Sequence, residues 1–348
     1  MIFSELLEPL KINYGVENMP FLQKMLVKVS EEKTYRGLKI LHNIPLCLNT
    51  LLKIEPLIVG GAEVIITNPH FFTPDRKTLS LLKTADISVE LDHHKIADDF
   101  DYVLDAAGDF KSLITPRRGA AELTQSGVAI YSDPALRYPI LNIDNSSIKT
   151  LEACLGTGEG LIRGLDFFVG DVFHHKAFVL FGYGKVGRGA AKQLAKYTQQ
   201  IVVIDSDDHA CERATRDGFF TLHSSDKIAI DRAVKSAYAT ITATGFKNLV
   251  SNSYDPAHFK NKLLVNIGVD DEYGPAFKNN EVLNGKRGVN FALQDPTLLK
   301  YMDPVFYAHN FAIDLLETRH FEPGIHAFPK DIDESIMTQW QEIFHENT

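Results

Sequence analysis

The stretch Val179-Leu180-Phe181-Gly182-Tyr183-Gly184-Lys185-Val186-Gly187 constrains the fold of this chain more than any other, because strong helix formers, Ala190 to Leu194, follow it closely. An apolar run that opens into Gly-x-Gly-x-x-Gly and then a helix is the start of a βαβ unit. Gly182 permits the tight turn, Gly184 lets backbone N–H groups approach a pyrophosphate, and Gly187 allows the helix to pack closely on the strand. The first N–H groups of that helix, with Lys185 and Val186 among its opening residues, then face the phosphates with the positive end of the helix dipole. A second apolar run, Ile201-Val202-Val203-Ile204, ends in Asp205, 18 residues after Gly187. A carboxylate there accepts from ribose hydroxyls and repels a 2'-phosphate, so the expected cofactor is NAD rather than NADP.

With 348 residues, 45% of them hydrophobic, the chain is long enough to bury two cores, and two domains are expected. The formal net charge of -9 comes without any run of like charges. That argues against nucleic acid or an anionic membrane as partner and leaves a small-molecule substrate. Cys47, Cys154 and Cys211 stand far apart, in no spacing that makes a metal site or a disulfide framework. No segment reaches the roughly 18 uninterrupted apolar residues of a membrane span, and the N-terminus has no basic flank before an apolar core. A cytoplasmic protein is the expectation.

Along the chain, strand-like runs at 38–44, 62–68, 86–91, 101–108 and 127–132 alternate with helical segments, and a second series follows at 177–182, 200–205, 238–245 and 262–268. Such alternation predicts parallel sheets in an α/β fold. The segment 151–170 has apolar residues at helical spacing and reads as a helix linking the domains. After residue 293 the pattern is helical, apart from the interruption at 322–329, and the chain is expected to pack back on its first domain. The predicted division is an NAD-binding Rossmann domain, 169–302, inserted in a parallel-sheet substrate domain, 1–168 and 303–348.

Beyond the glycines, the chain resembles the adenosylhomocysteinase family from about residue 38 to 336. "GYGKVGRGAAKQL" resembles the family's cradle, and "YPILNIDNSSIK" the segment that carries its active-site lysine. "GTGEGLIRGLDFFVG" resembles its interdomain helix, "TATGFKNLVS" and "LLVNIG" its later cofactor-domain strands, and "FEPGIHAFPKDIDESI" its C-terminal return. The resemblance implies tightly held NAD, contacted further by Thr242, Thr244, Gly245, Asn266, Gly268 and Asn290. It also implies a place in one-carbon metabolism, and a reaction in which a ribose 3'-hydroxyl is oxidised, homocysteine is eliminated, water adds and the hydride returns. A homo-oligomer is implied only by this resemblance, and the sequence ends at "WQEIFHENT" without the long family tail.

Carried over residue by residue, the resemblance gives His42, Asp105, Lys149 and Glu152 as the catalytic set. Lys149 matches the lysine that helps deprotonate the hydroxyl, and a lysine desolvated beside a cofactor loses basicity enough for that work. Glu152 stands for that lysine's acidic partner, with spacing one residue shorter, and Asp144-Asn145 reverse the family's order. Other parts are absent. Ala106, Leu123, Val269, Asn49 and Asp303 occupy positions where the family has an acid, a glutamate, a histidine, an adenine-reading acid and a histidine. Where charge develops, each missing group removes several kcal/mol of transition-state stabilisation.

The expected function is therefore an adenosylhomocysteinase-like, NAD-dependent oxidoreductase or hydrolase that oxidises a substrate hydroxyl in a rebuilt pocket, with S-adenosylhomocysteine not the expected substrate. The alternative is a non-catalytic NAD-binding regulatory paralogue. A 2-hydroxy-acid dehydrogenase is the third reading, without the expected order of arginine and glutamate-histidine relay. No metal is expected. The pairs His93-His94 and His174-His175 put adjacent side chains on opposite sides and lack a completing carboxylate. The aromatic loop "NPHFFTP" reads as loop packing.

Overall fold

The computed structural model describes residues 3–345. The chain divides into two compact units, one made of the chain up to Thr150 and from Leu299 onward, the other of Leu151–Leu298.

In the first unit six strands, β1 (Lys39–Asn43), β2 (Glu63–Thr67), β3 (Tyr102–Asp105), β4 (Gly119–Glu122), β5 (Pro139–Asn142) and β11 (Gly324–Ala327), form one parallel sheet in the order β2-β1-β3-β4-β5-β11. The order reverses between β1 and β3, the place where open α/β sheets bind ligands beyond the carboxyl ends of their strands. Helices α1 (Phe3–Tyr14), α2 (Pro20–Glu32), α3 (Thr50–Val59), α4 (Arg76–Thr84) and α5 (Gln125–Tyr131) belong to this unit, with most of α6 (Ser147–Leu151). The core on one side gathers Leu41, Phe100, Val103, Phe110, Tyr131 and Ile140.

Two expected strands are corrected here. Residues 127–132 lie mostly in α5, because the Thr124 side chain accepts from Gly127 N–H and caps the helix start; a helix cap outweighs the β-propensity of so short an apolar run. Residues 86–91 make one isolated bridge, Val89 to Ile66, and no strand. Conversely β4, Gly-Ala-Ala-Glu, was invisible as a strand, since its small residues carry no alternating apolar signal. They are small because helix α12 (Leu299–Thr318) lies against the sheet here: a Cβ on Gly119 would meet Leu316 Cδ1 at 3.1 Å.

The second unit is a five-stranded parallel sheet of β6 (Phe178–Phe181), β7 (Ile201–Asp205), β8 (Phe220–His223), β9 (Ala239–Thr242) and β10 (Leu263–Asn266), in the order β8-β7-β6-β9-β10. Alternate residues of β6 enter different cores: Phe178 and Leu180 on one face, Val179 and Phe181 on the other. Both faces are thus covered, as parallel sheets require. The segment read as a linking helix is α7 (Thr157–Val169), preceded by a π-helical turn at Glu152–Gly156, and the whole segment lies in the second unit. It meets α8 (Lys185–Leu194) through glycine: a Cβ on Gly158 would stand 2.5 Å from Gly189 O, and one on Gly189 would stand 1.7 Å from Cys154 O. Helices α9 (Asp208–Arg216), α10 (Lys227–Ser236) and α11 (Leu249–Ser253) follow β7, β8 and β9 in turn.

Helix α12 returns the chain to the first unit and is anchored by its own carboxylate. Asp303 Oδ2 and Oδ1 accept from Phe21 N–H and Leu22 N–H, each at 2.9 Å, which fills the N-terminal turn of α2. Helix α13 (Lys330–Phe344) repeats the device: Asp333 accepts from Ser147 N–H at 2.7 Å and Ile148 N–H at 3.1 Å, at the start of α6.

Two outcomes follow. Gly189→Ala forces a methyl into a backbone carbonyl and should lower stability by about 2–3 kcal/mol in urea unfolding. Burial pushes Asp303 up to about 7, against the two N–H groups it accepts. A folded-state value raised above the unfolded one gives a contribution that is full below about pH 4 and fades as pH rises through about 7. The stability margin of wild type over Asp303→Asn should therefore shrink between about pH 5 and pH 8, and a margin that widens contradicts this.

Candidate functional site

In the second unit, Gly182 leaves β6 with φ 96° and donates its N–H to Ile204 O at 2.7 Å. A Cβ there would meet Ala243 O at 2.5 Å, and one on Gly187 would meet Gly182 O at 2.0 Å. Only glycine fits at either position. Gly184 differs: a Cβ there would meet nothing within 4 Å, so its missing side chain leaves open space at the start of α8 rather than relieving a clash. That is the fit a pyrophosphate requires at this turn. Asp205 is committed to the same turn, accepting from Tyr183 N–H at 2.6 Å and Asp207 N–H at 2.9 Å, and is half-buried. Lys185 and Val186 form the first turn of α8.

The loops after β9 and β10 are joined by a residue that the sequence did not single out. Glu272 is fully buried and accepts from Thr244 N–H at 2.9 Å, Thr244 Oγ1 at 2.6 Å and Gly245 N–H at 2.8 Å. Burial pushes its carboxyl up while those donors pull it down. Thr242 Oγ1 donates to Asn266 Oδ1 at 3.1 Å, and Gly268 N–H reaches the same oxygen at 3.0 Å. Asn266 Nδ2 then bonds Asp270 O and Lys286 O, both at 2.7 Å. Asn290 is buried, and its Oδ1 has no protein partner. Gly182, Asp205, Thr242 and Asn266 thus stand at or just after the carboxyl ends of their strands, and the open space at Gly184 fits a dinucleotide.

In the first unit the carboxyl ends of β1 and β3 bring buried polar groups together. His42, at the end of β1, is fully buried, and its Nε2 lies 3.1 Å from Lys53 Nζ. Lys53 is also fully buried and donates to Asn310 Oδ1 at 2.7 Å, while Asn310 Nδ2 returns a bond to Lys53 O at 2.8 Å. One residue earlier on α12, buried His309 places Nε2 3.1 Å from Ala121 O. Burial, then the Lys53 charge, lowers His42 well below the ordinary imidazole value. The same two causes, in the same order, lower His309, with Lys149 adding a smaller push. Burial alone lowers Lys53. These groups are held toward their neutral forms.

The side chains predicted for chemistry divide. His42 and Lys149 belong to this neighbourhood, Lys149 on the helix that Asp333 caps. Asp105 lies at the end of β3 but is fully occupied by structure: it accepts from Asn43 Nδ2 at 2.7 Å, Tyr131 OH at 2.6 Å, Ala106 N–H at 2.8 Å and Phe110 N–H at 3.1 Å. Burial pushes it up to about 6. Glu122, the carboxylate beside buried Leu123, accepts from Ala107 and Gly108 N–H, each at 3.1 Å, and from Thr124. Burial and then Asp105 push it up to about 8. Glu152 is buried in the π-helical turn of the second unit. Val269 is exposed, and Asn49 is buried with Cys47 Sγ 3.0 Å from its Oδ1.

Nothing in the sequence pointed to Lys53 or His309, because a lone Lys or His on a helix reads as surface. Four polar atoms in this neighbourhood, His42 Nδ1, Asn43 Oδ1, Thr67 Oγ1 and His309 Nδ1, are buried without a protein partner. Buried polar atoms are normally paired, so a cluster of orphans at a sheet switch point marks a ligand site. Among the described residues no group of His, Cys, Asp and Glu could hold a metal ion. No helix among them is long and apolar enough to cross a membrane.

Glu272→Gln leaves a carboxamide where only acceptors fit. NAD affinity should fall about tenfold, or about 1.4 kcal/mol, in titration calorimetry, and unchanged affinity would show that the Thr244–Gly245 loop does not bear on the cofactor.

Residues 153–277 match the family model described as the S-adenosyl-L-homocysteine hydrolase, NAD binding domain. Among curated proteins, the S-inosyl-L-homocysteine hydrolase of Methanopyrus kandleri is 25% identical over 93% of this chain and 88% of its own length. The adenosylhomocysteinase of Thermotoga maritima is 26% identical over 94% and 92%. Among solved structures, a dipicolinate synthase chain from Bacillus halodurans matches with a TM-score of 0.50 at 12% identity, covering 81% of this chain and 98% of that one, which speaks to the fold alone. The glycine cradle, the parallel sheet and the matched family model agree that the second unit is an NAD-binding domain of the S-adenosyl-L-homocysteine hydrolase type, and the chain is similar to adenosylhomocysteinases and S-inosyl-L-homocysteine hydrolases along most of its length.

Proposed function

We propose that the protein is an NAD-dependent enzyme that oxidises a hydroxyl of a small molecule, and that this molecule is not S-adenosylhomocysteine. The observation that carries the reading is the set of orphaned polar atoms around His42, Asn43 and Thr67 at the switch point of the first sheet. Burying such groups unpaired costs stability, and a purely structural or regulatory chain gains nothing from it.

Gly182, Gly184, Lys185, Val186, Gly187 and Asp205 would hold the phosphates and ribose, and Thr242, Thr244, Gly245, Asn266, Gly268 and Asn290 the remainder. When bound, NAD supplies the acceptor for the hydride that leaves the substrate carbon. Lys149 takes the hydroxyl proton, and the Asp333 cap at the N-terminus of α6 fixes the helix that presents it. His42, held neutral by burial with Lys53 against its Nε2, offers Nδ1 to the substrate. Glu152 is assigned the part of second acid only through its likeness to the family's aspartate. Asp105, already saturated by four donors, keeps the end of β3 in place rather than touching substrate.

The change of substrate rests on Leu123, Val269, Ala106 and Asn49, none of which brings the charge that the family has at those places. An apolar side chain offers nothing to charge that develops at the reacting centre, and the Asn49 amide puts a neutral group where the family has an acid. The second reading, a regulatory NAD-binding paralogue, draws on the same four residues.

The test is to denature freshly purified protein and quantify released NAD and NADH by mass spectrometry, before and after incubation with a panel of nucleosides and hydroxy acids. NAD at the start and NADH after one or more compounds is expected. Lys149→Ala should then lower NADH formation by about 100-fold or more while NAD retention and thermal midpoint stay near wild type. Bound NAD that no compound reduces would favour the regulatory reading, and rapid conversion of S-adenosylhomocysteine would overturn the proposed change of substrate.

A further inference from the structure

Among the described residues three lysines are buried, and two of them have an acid. Lys11 Nζ lies 2.8 Å from Glu55 Oε1, and Lys286 Nζ lies 3.1 Å from Asp271 Oδ2. Lys53, the most deeply buried of the three, touches no carboxylate: its partners are Asn310 Oδ1 at 2.7 Å and His42 Nε2 at 3.1 Å. The charges around it are of its own sign. Beyond burial, which dominates, Lys53 and His309 push His42 down, and Lys53 and Lys149 push His309 down, so bases from β1, α3, α6 and α12 act on one another. The carboxylates of the surrounding elements are engaged elsewhere. Glu55 holds Lys11, Asp303 caps α2, Asp105 accepts from Asn43 and Tyr131, and Glu122 accepts from Thr124 and the loop after β3.

The hydrogen-bonding capacity left over also has one sense. An ammonium has three N–H groups, and Asn310 Oδ1 and His42 Nε2 take two from Lys53. An imidazole whose Nε2 accepts from an ammonium carries its hydrogen on Nδ1, and His42 Nδ1 is buried without a protein partner. His309 gives Nε2–H to Ala121 O, and its Nδ1, likewise unpartnered, becomes a third donor once the ring is protonated. What these groups lack is acceptor oxygen with negative charge, without which buried like charges are costly. A carboxylate brings two such oxygens. Phosphates are characteristically gripped by arginine or by main-chain N–H groups, and neither is among the partners of this trio.

We propose that Lys53, His42 and His309 form a carboxylate-recognition site, so that the substrate is an alcohol that carries a carboxylate. The inference rests on the functional reading above and names the substrate class of the same site. Lys53 and His42 donate to the carboxylate, and Lys149, close enough to act on His309, meets the hydroxyl of the same molecule. Negative charge reverses the effect of burial: the bases that burial pushes toward neutrality are drawn back to their charged forms, and binding takes up a proton from water.

The experiment presents NAD-loaded protein with lactate, 3-hydroxybutyrate, mandelate and adenosine-5'-carboxylate, each beside its primary amide, which keeps the shape and the hydroxyl but removes the charge. At least one acid should reduce NAD with kcat/KM about 100-fold or more above its amide. Lys53→Met should lower that ratio about 30-fold, and His309→Gln, which keeps a donor for Ala121 O and leaves the Lys53–Asn310 pair intact, about tenfold. An amide that reduces NAD as well as its acid overturns the carboxylate site and leaves the functional reading standing. Calorimetry in phosphate and in Tris at pH 7 reads the site without turnover: acid binding should take up protons, less in His309→Gln, and should weaken as pH rises. Proton-linked binding of an acid with no NADH formed contradicts the functional reading alone, and the absence of proton uptake with all four acids overturns the site.

Discussion

Lys53 and Asn310 grip each other twice, side chain to side chain and side chain to backbone, across 257 positions of sequence. Neither could be buried alone without leaving strong donors or acceptors unpaired. Together they fasten α12, the helix by which the chain re-enters its first unit, to α3 beneath the carboxyl edge of the sheet. His42 then meets the amine, and His309, one residue before Asn310, is carried to the end of β4. The Asp303 cap on α2 and the Asp333 cap on α6 complete the attachment at two further places. A polar pair in the interior thus does for the site what an apolar contact cannot: it specifies the register of the returning helix while placing titratable groups at the switch point.

The two units divide the physical work. In the second, backbone geometry dominates. Gly182 and Gly187 are demanded by sub-3 Å approaches to neighbouring carbonyl oxygens, and Glu272 knits two loops through main-chain N–H groups. In the first, side-chain electrostatics dominate. Burial lowers His42, His309 and Lys53 and raises Asp105 and Glu122, so that five groups ordinarily charged or half-charged near neutral pH are moved toward neutrality. Such perturbed groups gather where chemistry is done.

How much of this could be read in the sequence depended on whether a signal was local. β6, β7, β9 and β10 were legible as short apolar runs, and the cradle as glycines at fixed spacing, because each is fixed by its own residues. β4 escaped because its Gly-Ala-Ala run is small for the sake of α12, a partner almost two hundred residues away. The segment 127–132 misled because a cap at Thr124 decided against its β-branched and aromatic residues. Lys53, His309 and Glu272 were illegible for the same reason as β4: their meaning lies in what they touch.

The claim on which the account turns is that burial pushes the groups beneath the first sheet's edge toward their neutral forms, ready to hydrogen-bond and exchange protons. The most direct measurement is the titration of the Lys53 side chain by NMR of 13C-labelled lysine, with its resonance assigned by disappearance in Lys53→Arg. The account predicts that it titrates well below the ordinary lysine value, while exposed lysines titrate near it. A Lys53 resonance that moves together with the surface lysines would contradict it.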